Sequence, residues 1–158
     1  MSSHPAESPL PLKFSHLDES GGARMVDVGH KPDQRRVACA EGWVYCQAQT
    51  IEALRAQALP KGDVLTVSKI AGIQAAKRTD EFIPLCHSLP INAVEVQFFV
   101  EAESIRIESQ VSTTAKTGVE MEALMAVSVA ALTIYDMCKA VDKQMVIGGI
   151  RVTAKRKE

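Results

Sequence analysis

The feature that most constrains the fold is an uncharged segment, ALMAVSVAALTIY, at residues 123–135. Its apolar side chains would cover nearly every side of a helix, and such a helix is stable only when it is buried. Charged residues flank the segment, with Glu120 and Glu122 before it and DMCKAVDK at residues 136–143 after it. We therefore predict one long buried helix over residues 118–143, with charged side chains at both ends.

Four other stretches have the alternation or the β-branched composition of strands. They lie at residues 35–47, 91–101, 104–114 and 145–155. Only Ala102-Glu103 separates the second from the third, which predicts an antiparallel hairpin.

Two further helices are predicted from helical spacing and capping residues. They cover residues 50–58, with Thr50 as N-cap, and residues 61–78, with Asp63 as N-cap. The proline-bracketed stretch 83–90 is predicted as a rigid connection. The order β-α-α-β-β-α-β predicts an α+β fold, a ferredoxin-like sandwich with an antiparallel sheet and its helices on one face.

Length and composition exclude several classes of protein. The 158 residues have a formal net charge of −1 and only 4% aromatic residues, so neither a basic excess nor a stacking platform indicates a nucleic-acid partner. No segment is predicted to span a membrane. The length predicts one domain, residues 15–158, after a disordered tail at residues 1–14.

Cysteine usage indicates a reducing compartment. The chain has four cysteines, which form no C-x-x-C pair, and its first residues lack the apolar core of a secretory signal. We therefore expect reduced thiols and a cytoplasmic protein.

The two glutamates before the buried helix are candidate binding groups. Acidic residues are favoured in the first turn of a helix, which explains one of them. The apolar neighbours of Glu120 and Glu122 leave little solvated surface for the second.

The charged end of the same helix is a candidate acid/base site. Asp136, Lys139 and Lys143 are spaced to share one helical face. The simpler interpretation is a set of solvated surface ion pairs, which would add little stability. However, Asp136 directly follows the uncharged segment, and a lysine–carboxylate pair in a partly desolvated place can transfer protons. Asp136 follows Glu122 by 14 residues. That is about 21 Å along a straight helix, so one site using both would need a second subunit.

Other polar residues lie in loops. His87 follows Cys86 between two prolines, but no partner ligands stand at a spacing typical of a metal site. Asp27 lies among apolar residues, and a turn-capping role is the simpler interpretation. The chain has no glycine-rich phosphate loop, so side chains would have to hold an anion.

Six blocks of the sequence, taken together, resemble the signature segments of the cyclic pyranopterin monophosphate synthases, the molybdenum cofactor biosynthesis protein C family. The blocks are MVDV (25–28), KGDV (61–64), IAGIQAAKRT (70–79), IPLCHSLP (83–90), KTGVEMEAL (116–124) and TIYDMCKAVDK (133–143). They stand in the family's order, and the resemblance covers roughly residues 14–155.

The resemblance implies a ferredoxin-like subunit in a homohexamer, a trimer of dimers with active sites at subunit interfaces. It implies a lyase that converts (8S)-3′,8-cyclo-7,8-dihydroguanosine 5′-triphosphate to cyclic pyranopterin monophosphate and diphosphate. The implied partner is thus a small molecule, a cyclised GTP derivative. No cofactor is implied as required, and whether Mg²⁺ accompanies the triphosphate stays open.

The resemblance also implies site residues. The implied catalytic residues are Asp136, Lys139 and Lys61. The implied substrate-binding residues are Leu85, Cys86, His87, Met121, Glu122, Glu120, Asp27 and Lys155. The carboxylates suit the N–H edge of a guanine-derived base, and no residue is assigned to a metal.

The sequence departs from the family's pattern at several places, among them Ser88, and three alternative functions remain open. Ser88 stands where many members of the family have proline. A metal-dependent nucleotide phosphohydrolase would use Asp136, Glu122 and His87. An RNA-binding module would need aromatic strands, for which only Phe98-Phe99 is available. An inactive oligomeric scaffold would tolerate loss of Asp136.

Overall fold

A four-stranded antiparallel sheet forms one layer of the protein in the computed structural model, which describes residues 16–18 and 20–158. Its strands are β1 (Gln34–Tyr45), β2 (Ile91–Val100), β3 (Ser104–Ala115) and β4 (Val146–Lys157). They are ordered β2-β3-β1-β4, with β3 and β1 in the centre and β2 and β4 at the edges. The predicted β2–β3 hairpin is present. The α+β class is confirmed. The predicted tail, residues 1–14, lies outside the described residues.

Four helices complete the described part of the chain. They are α1 (Ala48–Arg55), α2 (Val64–Lys77), α3 (Thr79–Phe82) and α4 (Glu120–Cys138). Helix α3 was not predicted from the sequence, because four residues are too few to show a helical period. The predicted end of α4 was too late, since the helix ends at Cys138 and Lys143 lies beyond it.

The two predicted helix caps have different outcomes. Asp63 is the N-cap of α2, and its side chain accepts a hydrogen bond from the Thr66 amide at 3.1 Å. Thr50 is not the cap of α1: the N-cap is Gln47, and Thr50 is buried inside the helix.

The helix α4 is the centre of the core. Its alanines allow a close approach of α2, where a Cβ added at Gly72 would lie 2.8 Å from the Ala126 carbonyl oxygen. By length and composition alone α4 could cross a membrane, with a mean hydropathy of 1.5, but a buried core helix passes the same test. Its residues Val127 and Ile134 are fully buried, and it packs on α2, β1 and β3, as the core helix of a domain does.

A buried carboxylate that the sequence analysis did not identify, Asp142, joins the end of the α4 region to α1. Its Oδ2 accepts hydrogen bonds from the Gln47 amide at 2.8 Å and the Thr50 hydroxyl at 3.1 Å, and its Oδ1 accepts one from the Gln144 amide at 2.9 Å. Burial alone would raise the pKa of Asp142, but these hydrogen bonds outweigh it and the pKa is lowered. Asp142 therefore caps α1 from outside the helix.

Asp142→Ala should destabilise the fold by about 2–4 kcal/mol, because three donors lose their partner and one of them, the Thr50 hydroxyl, is buried. Urea unfolding at fixed protein concentration measures the change, with Glu52→Ala on the exposed side of α1 as the matched control. Since the pKa is lowered on folding, this contribution is present above the unfolded pKa and is lost as the pH falls through the folded value. An unchanged midpoint for Asp142→Ala would contradict the capping role.

Candidate active site

Two lysines converge on one carboxylate at the C-terminal end of α4. The Lys61 ammonium donates to Asp136 Oδ2 at 2.7 Å and to the Asp136 carbonyl oxygen at 3.1 Å. Lys139 lies one turn after Asp136, with its Nζ 2.6 Å from Oδ1. All three side chains are about half exposed. The structure thus brings the three sequence-predicted catalytic residues together, although Lys61 is 75 positions before Asp136.

The charges of this cluster stabilise one another. Hydrogen bonds from Lys139 and Lys61 lower the pKa of Asp136 to about 2. The hydrogen bond to Asp136 raises the pKa of Lys139 above its ordinary value. The cluster therefore carries two positive charges and one negative charge at neutral pH, and its excess is cationic.

Glu122 lies at the opposite end of α4 in a different environment. Only 4% of its surface is exposed. Desolvation by burial, together with the negative charges of Glu120 and Asp80, raises the pKa of Glu122 to about 7. At neutral pH Glu122 is thus divided between its protonated and ionised forms, which suits a group that donates or accepts a proton.

Cys86 lies close to the same carboxylate. It is half-buried, and burial raises the pKa of its thiol, to which the charges of Glu122 and Asp80 add. The structure therefore places Cys86 near Glu122. Leu85 and Met121 are partly buried neighbours of these two residues in the chain.

The other sequence-predicted acid of this end, Glu120, faces β4. Its Oε1 lies 3.7 Å from Lys155 Nζ. Both residues line an open cleft of about 290 Å³ together with Arg36, Arg156 and Lys157. The Arg36 guanidinium donates to the Ala115 carbonyl oxygen at 3.2 Å and thereby holds the end of β3 before α4.

His87 fixes a second loop at this end. Its Nε2 lies 2.8 Å from the Val26 carbonyl oxygen, which can only accept, so Nε2 carries the proton and Nδ1 is left for other partners. In the same loop Asp27 Oδ1 accepts from the Gly29 amide at 2.7 Å, a turn-capping contact, while its side chain stays exposed. The Lys116 ammonium donates to the Gly29 carbonyl oxygen at 2.8 Å.

The predicted site residues thus form two groups on one chain. The lysine–aspartate cluster lies at the C-terminal end of α4, and the acidic group with Cys86, His87 and Lys155 lies at its N-terminal end. Because α4 is continuous from Glu120 to Cys138, Glu122 and Asp136 are separated by about 21 Å. Within residues 16–18 and 20–158, no group of three or more His, Cys, Asp or Glu side chains is placed to hold a metal ion.

Two residues near the N-terminal end of α4 were not predicted from the sequence as part of the site. Asp80 acts on both Cys86 and Glu122, but it lies in the short helix α3, which has no recognisable pattern. Arg36 was read as part of a strand, and nothing in the alternation of that strand indicated a role beside Lys155.

Comparison with known proteins agrees with the resemblance. The model of the MoaC family matches residues 25–158. A cyclic pyranopterin monophosphate synthase of Roseiflexus sp. is 57% identical over 144 residues, covering 90% of this chain and 91% of that protein. One of Heliobacterium modesticaldum is 56% identical, with the same coverage.

A third relative is longer. A molybdenum cofactor biosynthesis bifunctional protein of Chlorobaculum tepidum is 56% identical over 144 residues. The match covers 91% of this chain but only 46% of that protein, so the chain corresponds to about half of it.

Proposed function

Because the chain belongs to the MoaC family, we propose that it is a cyclic pyranopterin monophosphate synthase and acts in molybdenum cofactor biosynthesis. The identification of the family from the sequence blocks is confirmed by the family match and by the names of relatives at 56–57% identity. The proposed reaction is conversion of (8S)-3′,8-cyclo-7,8-dihydroguanosine 5′-triphosphate to cyclic pyranopterin monophosphate with release of diphosphate.

The convergence of Lys61 and Lys139 on Asp136 carries this proposal. Release of diphosphate develops negative charge, which fixed ammonium groups stabilise without reorganising. Asp136 holds both ammonium groups, at 2.7 and 2.6 Å, from two different segments of the chain. The carboxylate thus orients the cations and stays ionised itself.

Glu122 is the second part of the proposed mechanism. Rearrangement of a guanine-derived ring system needs protons moved at the base, and a buried carboxyl with a pKa of about 7 matches that task. Glu120 remains available as an acceptor for N–H groups of the base. The assignment of Asp136 and Lys139 as an acid/base pair remains a prediction. The raised pKa of Lys139 favours a role as a cation.

Two ends of α4 about 21 Å apart cannot contact one small substrate in one chain. We therefore place the site between subunits, within a homohexamer that is a trimer of dimers. An exposed apolar surface on α2, α3 and α4 supports assembly: Ile70, Phe82 and Leu132 are 54%, 63% and 59% exposed. They line an apolar groove of about 730 Å³, and a contiguous exposed apolar surface of this kind marks an interaction site.

Several finer expectations belong to this proposal. The strand order β2-β3-β1-β4 supports a ferredoxin-like arrangement. The substrate is a small molecule, with no nucleic-acid or membrane partner, and the enzyme is expected in the cytoplasm. No cofactor is proposed as required, and any Mg²⁺ would bind with the triphosphate. A metal-dependent phosphohydrolase is not favoured, because the chain matches the MoaC family and relatives at 56–57% identity are named cyclic pyranopterin monophosphate synthases.

A direct turnover measurement tests the function. The protein is incubated with the cyclised dihydro-GTP substrate between pH 5.5 and 9, with and without a chelator, and diphosphate and the oxidised fluorescent pterin are followed together. Both products are expected, with a pH profile that inflects near 7, and the low residual activity of Glu122→Gln should lack that inflection. Diphosphate without pterin would instead indicate a triphosphate hydrolase, and neither product would leave a binding or scaffold role.

A further inference from the structure

A contact between Ser88 and Asp80 lies at the edge of the candidate site and has no part in the proposed reaction. Asp80 is in the first turn of α3, and its Oδ2 accepts a hydrogen bond from the Ser88 hydroxyl. Ser88 directly follows His87. The contact therefore joins α3 to the segment that carries Cys86 and His87.

This segment depends on side chains for its position. Its backbone hydrogen bonding ends at the Cys86 amide, which donates to the Ile83 carbonyl oxygen at 3.1 Å. From there as far as Leu89, the hydrogen bonds found in the described part of the chain come from the side chains of His87 and Ser88. His87 reaches a loop, whereas Ser88 reaches a helix.

The helix that receives Ser88 is itself well anchored. Thr79, the first residue of α3, is 2% exposed. Its hydroxyl contacts the carbonyl oxygens of Ala75 at 3.3 Å and Ala76 at 3.1 Å, both near the end of α2. Asp80 follows Thr79 directly, so it offers Ser88 a rigid attachment.

The carboxylate of Asp80 has a second effect, because it is near enough to act on two site residues. Its negative charge contributes to the raised pKa of Cys86, after burial and Glu122, and to that of Glu122, after burial and Glu120. The charge of Asp80 thus faces the same space as the acidic group at the N-terminal end of α4.

We propose that Asp80, tethered by Ser88, is a positioning residue that holds the Cys86-His87 segment in place and adds negative charge beside Cys86 and Glu122. A proline at position 88, which the family resemblance leads one to expect, would restrict the backbone covalently. In this chain Ser88 achieves the restriction through its bond to Asp80. The consequence for turnover rests on the proposed function, but the tether and the charge are measurable without substrate.

Four variants separate the tether from the charge. Asp80→Asn keeps an oxygen that accepts from Ser88 but removes the charge. Ser88→Ala keeps the charge but removes the tether, and Ser88→Pro replaces the tether by the ring. Glu81→Gln is the control, since Glu81 is the exposed neighbour of Asp80 in α3 and lies 4.0 Å from Arg78.

The rate of alkylation of Cys86 by iodoacetamide measures the effect of the Asp80 charge on the thiol. The rate is followed peptide by peptide in the intact protein as a function of pH. Asp80→Asn should lower the midpoint of the curve, so that alkylation below the midpoint is about threefold faster, because a thiol with a lower pKa has more thiolate at a given pH. Glu81→Gln should leave the midpoint unchanged. An unchanged midpoint in Asp80→Asn would overturn the electrostatic half of the proposal.

Amide hydrogen exchange tests whether the Ser88–Asp80 hydrogen bond holds the segment in place. The Cys86 amide, which donates to the Ile83 carbonyl oxygen, should exchange about tenfold faster in Ser88→Ala, and at the original rate in Ser88→Pro and Asp80→Asn. Unchanged exchange in Ser88→Ala would overturn the positioning role. In turnover, Ser88→Ala should raise KM more than it lowers kcat, and Ser88→Pro should restore KM. An inactive wild type would refute the proposed function alone, because exchange and alkylation do not depend on it.

Discussion

Asp136→Asn should reduce kcat by about 10³-fold while leaving the protein folded and its assembly intact. The carboxylate accepts from Lys61 on one oxygen and pairs with Lys139 on the other. Asparagine has nearly the same shape but no negative charge, and its amide nitrogen cannot accept from an ammonium group. Both lysines would therefore lose the group that orients them towards the diphosphate.

Stability separates this effect from a folding defect. Because Asp136 is half exposed, its ion pairs are screened by solvent and the unfolding midpoint should not move. Glu52→Gln removes a surface carboxylate from α1 and should leave both kcat and the midpoint unchanged. Full activity in Asp136→Asn would refute the assignment of the cluster to catalysis and would favour a scaffold.

Sequence reasoning predicted the parts of the site that lie next to one another in the chain. Asp136 and Lys139 are one helical turn apart, so their contact follows from the period of α4. The contact of Lys61 with the same carboxylate depends on how the turn before α2 lies against the end of α4, and no local pattern encodes it. Only the family resemblance indicated Lys61 beforehand.

The same distinction explains the fold. The apolar run predicted a buried helix because its pattern is long and uninterrupted, and the strands alternate clearly. The prediction that Thr50 is the N-cap of α1 was wrong because the Thr50 hydroxyl donates to Asp142, 92 positions later. The same carboxylate accepts a hydrogen bond from the Gln47 amide at the start of α1. Asp80 was missed because α3 is shorter than two helical turns. What the sequence alone could not provide in each case is a tertiary partner.

Mixing two inactive variants should restore activity if each site uses Asp136 of one subunit and Glu122 of another. Asp136→Asn and Glu122→Gln are expected to be nearly inactive when each is assembled alone. In randomly mixed oligomers, about a quarter of the sites would combine an intact Asp136 with an intact Glu122, so about a quarter of wild-type activity should return. Co-expression with two affinity tags yields the mixed oligomers, and the turnover measurement reads the recovery.

The matched control pairs Asp136→Asn with Lys61→Ala. Since Lys61 and Asp136 lie 2.7 Å apart in the same chain, every site in such a mixture draws its cationic cluster from a subunit that carries one of the two changes. No recovery is expected there. If the first mixture also stays inactive in verified mixed oligomers, Asp136 and Glu122 do not cooperate across a subunit interface. The 21 Å between them would then mean that only one end of α4 contacts the substrate.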